Sequence, residues 1–575
     1  MIITVSRATC TINEPDRQDI QGPGLDEHRA EKSPGWFRSV EKGVGRSFHV
    51  AERMISRIAQ RRTLSVFLVG LLSFLLSATF SLLIRMPRPM VHDEFSYLLA
   101  ADTFAHGRLT NPTHPLWVHF ESMHIIHRPT YASKYPPGQG LALAAGQVLT
   151  GYPIVGAWLS SALACSAICW MLMAWMPPRW ALIGAILAVI HPTILEWSQT
   201  YWGGSVAMLG GALLLGAAGR LAKHSRVRDS LLMGVGLLVL ANSRPYEGLV
   251  LSILVLSALL LRLISRWGPG WCISLTKIVL PSSIVLVVGA ASMCYYNYRV
   301  TRSALRLPYS LHEESYGIAP PFLWMEAKPI PEYRHAQIKN FHERIFKEYY
   351  HLIKSGHLIL LLILRVILCE ILLLNVLAVM TPIGLFAFLW SARRPEHRFI
   401  SLGWLFFTLA ILPETWIQSH YFAPAFGLAL LLTMQAFRLL WLWHRRGVPV
   451  GRLITRSSLV LCIAWLLPSG LSLSDLNNRE EWRRQISRRD SILERLEGEG
   501  GHHLVIVRYG ANHDTDAEWV YNAADIDSAK VVWAREMGPD QDRELLNYFK
   551  GRRIWLLEPD LSPARLTDYS KSKSQ

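Results

Sequence analysis

Thr63–Ile84 reads TLSVFLVGLLSFLLSATFSLLI, and after the short break Arg85–Pro89 the stretch Met90–Gly140 reads MVHDEFSYLLAADTFAHGRLTNPTHPLWVHFESMHIIHRPTYASKYPPGQG. The first stretch is 22 residues without a charge, about the length at which a helix crosses ~30 Å of hydrocarbon. The second is far more polar. It holds the adjacent carboxylates Asp93 and Glu94, several aromatics, six histidines between His92 and His127, and the basic residues Arg128 and Lys134. A carboxylate pair at a membrane surface is expensive to desolvate, so it marks a functional site by default. The rest of the chain reads as a scaffold that holds this loop at one face of a bilayer.

Working outward, the composition agrees. Of 575 residues, 51% are hydrophobic and 18% charged, and the mean hydropathy is +0.22. The apolar residues are clumped into runs near 20 residues rather than spread over soluble domains. After 63–84, further spans fall at 152–175, 180–199, 203–219, 229–243, 248–265, 274–295, 357–390, 399–415, 421–443 and 457–472. The fold class is therefore an α-helical polytopic membrane protein of about eleven transmembrane helices. The run 357–390 is too long for one upright helix. It reads either as a tilted span with an interfacial piece or as two helices broken near Pro382.

Three regions are expected: a largely disordered tail at 1–60 ending in a basic helix from Arg53 to Arg62, a transmembrane domain at 61–472, and a domain at 473–575. Short loops set the orientation. Arg220, Lys223, Arg226 and Arg228 share one side with Arg393, Arg394 and Arg398 and with Arg445, Arg446, Arg452 and Arg456. The opposing loops 199–203 and 416–420 have no Lys or Arg, so the N-terminus is expected in the cytoplasm and the C-terminus outside. The long loops 85–151 and 296–356 then lie outside too. The last region reads as a small extracytoplasmic α/β domain, with strands at Leu504–Arg508, Lys530–Ala534 and Arg553–Glu558 and a helix at Gln541–Phe549.

Other classes are excluded. The formal net charge of +16 is spent on topology and anionic lipid rather than nucleic acid. The seven cysteines form no disulfide framework or zinc pattern. The polar first 60 residues contain no apolar h-region of a signal peptide, and no phosphate-cradling loop for ATP is present.

Each candidate site residue has a bland explanation beside the functional one. Asp93 and Glu94 suit a surface general base, and equally the first turn of a helix over Phe95–His106. Lys134 suits a lipid phosphate as a compact point charge, or a snorkelling anchor beside belt tyrosines. Arg244 either faces the outer cavity and binds phosphate or pairs with Glu247. His420 and Tyr421 begin a span and suit a wet helix cap. The six histidines fit no standard metal-ligand spacing.

Taken in order, Asp93-Glu94-x-x-Tyr97, Tyr131-x-x-Lys134-x-Pro136 and a late-span Tyr421-x-x-Pro424 resemble the GT-C integral-membrane glycosyltransferases. Within them the resemblance is to the bacterial branch of the protein O-mannosyltransferase and lipid A aminoarabinose transferase superfamily. It covers roughly residues 60–430. Here Tyr135 separates Lys134 from Pro136, where some relatives have Lys-Pro directly.

The resemblance implies a sugar donor on a polyprenyl phosphate and transfer on the outer face of a bacterial inner membrane. It implies Asp93 as base with Glu94 in support, and Tyr131 and Lys134 at the lipid phosphate. Tyr97, Arg128, Arg244, His420 and Tyr421 join as substrate-binding candidates, Arg244 without a motif match. A polyprenyl phosphate is already a good leaving group, so one carboxylate suffices, with cations to meet the developing charge. A single displacement inverts the anomeric centre. No cofactor is required by this scheme, and a divalent metal stays open. The acceptor, whether glycan, lipid or protein, and the sugar itself are not fixed. The competing reading is a transporter or flippase of lipid-linked saccharides, which should show inverted repeats and broken, charged helices near mid-bilayer. No repeat is present.

Overall fold

A computed structural model describes residues 35–83, 86–264, 275–356, 361–365, 395–445, 448–472 and 480–569. Among these, five helices are long and apolar enough to cross a membrane: Arg62–Leu83, Ile154–Trp175, Pro245–Ile264, Leu275–Thr301 and Ala423–Trp441. Pro178–Val189 and Pro192–Ser198 are long and apolar enough only when taken together across a bend, and Ser205–Leu221 and Arg398–Ile411 are shorter apolar helices. The protein is a helical membrane protein with a small C-terminal sheet.

The expected straight span over 180–199 is corrected to two helices that turn through 57°. Pro192 opens the second one; it has no N–H to continue the first helix and is well placed in a first turn. The tail is corrected too. A helix runs from Gly35 to Gln60, longer than the Arg53–Arg62 segment expected. Its apolar residues Phe37, Val40, Val44, Phe48, Ala51 and Ile55 recur at helical spacing, a period hidden by Gly and mixed charge. Apart from 361–365, the 357–390 run lies outside the described residues.

Burial separates inner from outer helices. Of the most apolar windows, 72% of residues are buried in Ile154–Trp175 and 78% in Ala423–Trp441, against 28% in Arg62–Leu83 and 22% in Leu275–Thr301. The outer pair presents apolar side chains such as Leu83 and Val287 to lipid. Inside, small residues let backbones approach, as membrane helices require. A Cβ on Gly156 would stand 2.0 Å from the Ala142 carbonyl oxygen, and one on Gly211 1.8 Å from that of Pro424. Gly211 thus seats the turn that carries His420 and Tyr421. Gly211→Leu is expected to lower stability by at least the ~1–3 kcal/mol of ordinary overpacking. Thermal unfolding checks this against Gly498→Ala, where a Cβ meets nothing within 4 Å.

The first loop folds as helix His92–Ala105, a two-stranded antiparallel pair β1 (Ile125–Ile126) and β2 (Ala132–Ser133), and helix Pro137–Thr150. The C-terminal region forms a sheet of β3 (His503–Val507), β4 (Val531–Arg535), β5 (Arg553–Glu558) and β6 (Arg565–Asp568) in the order β4-β3-β5-β6. The first three are parallel, with helix Pro539–Tyr548 between β4 and β5. The antiparallel edge strand β6 was not expected. Its four residues, Arg-Leu-Thr-Asp, carry too little apolar alternation to read as a strand.

This sheet region docks on the first loop. Tyr521 stacks on Phe95 with ring centroids 4.0 Å apart, and its hydroxyl lies 2.7 Å from His92 Nδ1. Arg535 Nε donates to the Glu121 carbonyl at 2.7 Å, and the Ala524 N–H to Asp102 Oδ2 at 2.8 Å. At the other end of Arg62–Leu83, which is about 33 Å long, Arg456 Nε pairs with Glu52 at 3.0 Å. The segment before the first span and the C-terminal region therefore lie at opposite ends of the bundle.

Candidate active site

A cavity of about 680 Å³ opens where the first loop meets the bundle. Asp93, Tyr97, Lys134, Arg244, His420 and Tyr421 line it, brought from four separate parts of the chain. Glu94, Arg128 and Tyr131 do not line it.

Asp93 and Glu94 open the helix His92–Ala105, and successive helical residues point about 100° apart. Asp93 turns to the cavity. Its carboxylate accepts a hydrogen bond from the Tyr135 hydroxyl and lies 4.0 Å from His124 Nε2. Glu94 turns inward and holds backbone: it accepts from the N–H groups of Met90 (2.6 Å), Val91 (3.3 Å) and Tyr201 (2.9 Å). Burial pushes its carboxyl up to about 7, against the pull of those N–H groups. The pair thus splits, with one carboxylate at the cavity and the other fixing the helix start to the 201 loop.

Each cation in the cavity faces a carboxylate. Lys134 Nζ donates to Glu313 Oε1 at 3.3 Å and stands over the Tyr309 ring at 5.1 Å. Burial alone would raise the Glu313 carboxyl, but the Lys134 ammonium and His312 hold it well below the usual carboxylate range. Arg244 lies 3.7 Å from Glu247 and over the Tyr421 ring at 4.5 Å. His420 packs against Trp202 with ring centroids 5.1 Å apart. Glu414 also lines the cavity, with a buried Oε1 that has no hydrogen-bond partner among the described residues.

Of the remaining candidates, Tyr131 and Arg128 sit elsewhere. Tyr97 lines the cavity as a prop, stacked on Tyr135 at 4.5 Å. Tyr131 is buried and its hydroxyl donates to the Asn522 carbonyl at 3.0 Å, tying the loop to the C-terminal region. Arg128 lies over Trp117 at 5.7 Å, in a separate pocket. Among the described residues no group of three or more His, Cys, Asp or Glu side chains could hold a metal ion.

Sequence reading missed Tyr135, Glu313, Tyr309 and Glu414. One signal pointed to Glu313: a buried lysine needs an acid, and the outer loop 296–356 offers the Glu313-Glu314 pair.

Buried histidines of the outer loops make stability depend on pH. Burial holds His127, His312, His335 and His342 down to about 3, 4, 4 and 3, against an ordinary value of 6.5. Positive neighbours lower them further, among them Arg535 for His127 and His335, and Lys134 for His312. Unfolded, these imidazoles take up protons near pH 6.5; folded, they do so only near 4 or below. Their contribution is therefore whole above pH 6.5 and is lost as pH falls toward 4. Glu94 runs the other way, favouring the fold as pH drops from 7 to 4.5, and so do Glu121 and Asp542, which burial also raises, but the imidazoles held down by burial are more numerous, His92, His114 and His124 among them. Thermal unfolding of the purified protein should show a midpoint that is lower at pH 4 than at pH 6.5.

No protein-family model and no curated protein matches the chain. Solved structures do. The oligosaccharyltransferase of Archaeoglobus fulgidus in complex with Zn and sulfate aligns over 76% of this chain and 60% of its own, with 13% identity and a TM-score of 0.44. This chain thus spans about three-fifths of that protein's length. The same oligosaccharyltransferase tethered to an acceptor peptide aligns over 76% of this chain and 61% of its own, at 12% identity and a TM-score of 0.43. ArnT from Cupriavidus metallidurans in the apo state aligns over 85% of this chain and 92% of its own, at 12% identity and a TM-score of 0.49. All three likenesses are at 12–13% identity with TM-scores below 0.5.

Proposed function

We propose that the protein moves a sugar from a polyprenyl-phosphate donor to an acceptor hydroxyl on the outer face of the inner membrane. The observation that carries this reading is the convergence of Asp93, Lys134 and Arg244 on one cavity beside apolar helices. A carboxylate and two cations that far apart in sequence have no need to share a space for folding alone. Together they match the needs of the reaction. The phosphate of the donor sits near Lys134 and Arg244, whose charges meet the negative charge that grows on it as the glycosidic C–O bond breaks. The isoprenoid tail lies along the apolar wall, reaching the cavity from the lipid side. Asp93 orients the acceptor hydroxyl and takes its proton as the oxygen attacks the anomeric carbon. Attack opposite the leaving phosphate inverts that carbon. Tyr135 and Glu94 are positioning groups, one bonded to the Asp93 carboxylate and the other fixing its helix.

The test is incubation of the purified full chain with a panel of radiolabelled polyprenyl-phosphate sugars together with glycan, lipid and peptide acceptors. Release of free polyprenyl phosphate from one donor is the expected result. No release from any donor, by a sample that unfolds cooperatively, would overturn the reading.

A further inference from the structure

We infer that the outer face carries a second binding site: a pocket of about 120 Å³ among Trp117, Glu121, His127, Arg128, Arg334 and Tyr333 that takes one sugar residue of a neutral glycan. The inference rests on the pocket alone and not on the reading of the main cavity. The two spaces share no lining residue. The wall between them is the helix Pro308–Tyr316, with His312 on the pocket side and Glu313 on the cavity side.

Three buried polar atoms on residues lining this pocket have no hydrogen-bond partner among the described residues. They are His127 Nε2, on a residue 3% exposed, and Glu121 Oε2 and His312 Nδ1, each on a residue 1% exposed. The Glu121 oxygen has His335 Nε2 at 3.4 Å, but that nitrogen is engaged by the Val118 carbonyl at 2.9 Å. The other Glu121 oxygen accepts from the Tyr316 hydroxyl at 2.5 Å. An unpaired buried polar atom costs about 1–3 kcal/mol, which a ligand hydroxyl placed there would recover.

The charges choose among ligands. Arg128 and Arg334 are balanced by Glu121 and Glu332 around one small space, so the lining has no net sign with which to select an anion. It has instead the mixture that a polyol needs. The carboxylate accepts from hydroxyls, guanidinium forks donate to them, and the imidazole takes either role. Aromatic rings supply the apolar surface that the C–H face of a pyranose needs. Trp117 is the centre of that surface, with the guanidinium carbons of Arg128 at 5.7 Å and Arg334 at 4.9 Å from its ring centroid. Arg334 is half exposed, which leaves the mouth open to the aqueous side.

The test is calorimetric or saturation-transfer titration of the purified full chain with maltose, cellobiose, mannobiose, chitobiose and lactose, with glucuronate and glucose phosphate as charged controls. At least one neutral disaccharide should bind, with its Kd raised by about tenfold or more in Trp117→Ala and in Arg334→Ala. Asp93→Asn should bind it as wild type does. Arg334→Ala removes an exposed side chain, so it keeps the test valid if Trp117→Ala fails to fold. Failure of every neutral sugar to bind overturns the inference. So does binding of the charged sugars alone, or binding that survives Trp117→Ala and Arg334→Ala but is lost in Asp93→Asn.

Discussion

Asp93→Asn should lower sugar transfer by about 10²–10⁴-fold, the usual worth of a positioned base, while the protein keeps its thermal midpoint. The fold has little stake in the charge. The Asp93 side chain is a third exposed, and the asparagine oxygen can still accept the Tyr135 hydroxyl. What asparagine cannot do is take a proton from an attacking hydroxyl. Donor binding should change little, because the cations near the phosphate are untouched. The readout is therefore transfer rate at saturating donor beside equilibrium donor binding. Activity within about twofold of wild type would remove Asp93 from the mechanism. Glu414→Gln is the companion experiment, since Glu414 lines the same cavity with an oxygen that has no hydrogen-bond partner among the described residues. If that variant is dead and Asp93→Asn is active, the transferase reading stands and the base is Glu414.

The membrane class was legible because burial in lipid demands long runs without charge, and runs such as 63–84 have no other common cause. Interruptions were harder to see. Pro192 lies within an apolar run, and whether a proline there bends a span depends on what packs around it. The start of the Gly35–Gln60 helix was hidden because its apolar period is carried among glycines and charges. Strand β6 gains its place by pairing with Leu556 and Leu557 of β5, a long-range fact absent from its own four residues.

The charges of the candidate site were legible as polar groups beside apolar runs, and their partners were not. Asp93, Lys134 and Arg244 stood out because charged residues beside apolar runs are costly unless they face polar space. The structure brings those three together with Tyr97, His420 and Tyr421. Which acid faces Lys134 could not be read locally, since Glu313 is 179 residues away. The Asp93-Glu94 pair was equally ambiguous in one dimension. Only the turn of the helix decides that one side chain enters the cavity while the other is spent on three backbone N–H groups.

Lys134→Ala is expected to have two effects that must be separated. It removes the cation proposed to hold the donor phosphate, and it also strands Glu313, a buried carboxylate held ionised chiefly by that ammonium. Breaking a buried pair from one side costs about 3–5 kcal/mol, so the single variant should unfold well below wild type whatever its role in binding. The double variant Lys134→Met/Glu313→Gln settles the matter. It keeps the volumes and leaves no unpaired charge, and such neutral replacements are often as stable as the pair they replace. Its thermal midpoint should return close to wild type. Its affinity for polyprenyl phosphate should not return, because no ammonium is left to meet the phosphate oxygens beside Arg244. If the double variant binds polyprenyl phosphate as tightly as wild type, Lys134 is a structural partner of Glu313 alone. The phosphate is then left to the two arginines on the same cavity, Arg244, which stands over the Tyr421 ring, and Arg344, which donates to Asp516 at 2.7 Å.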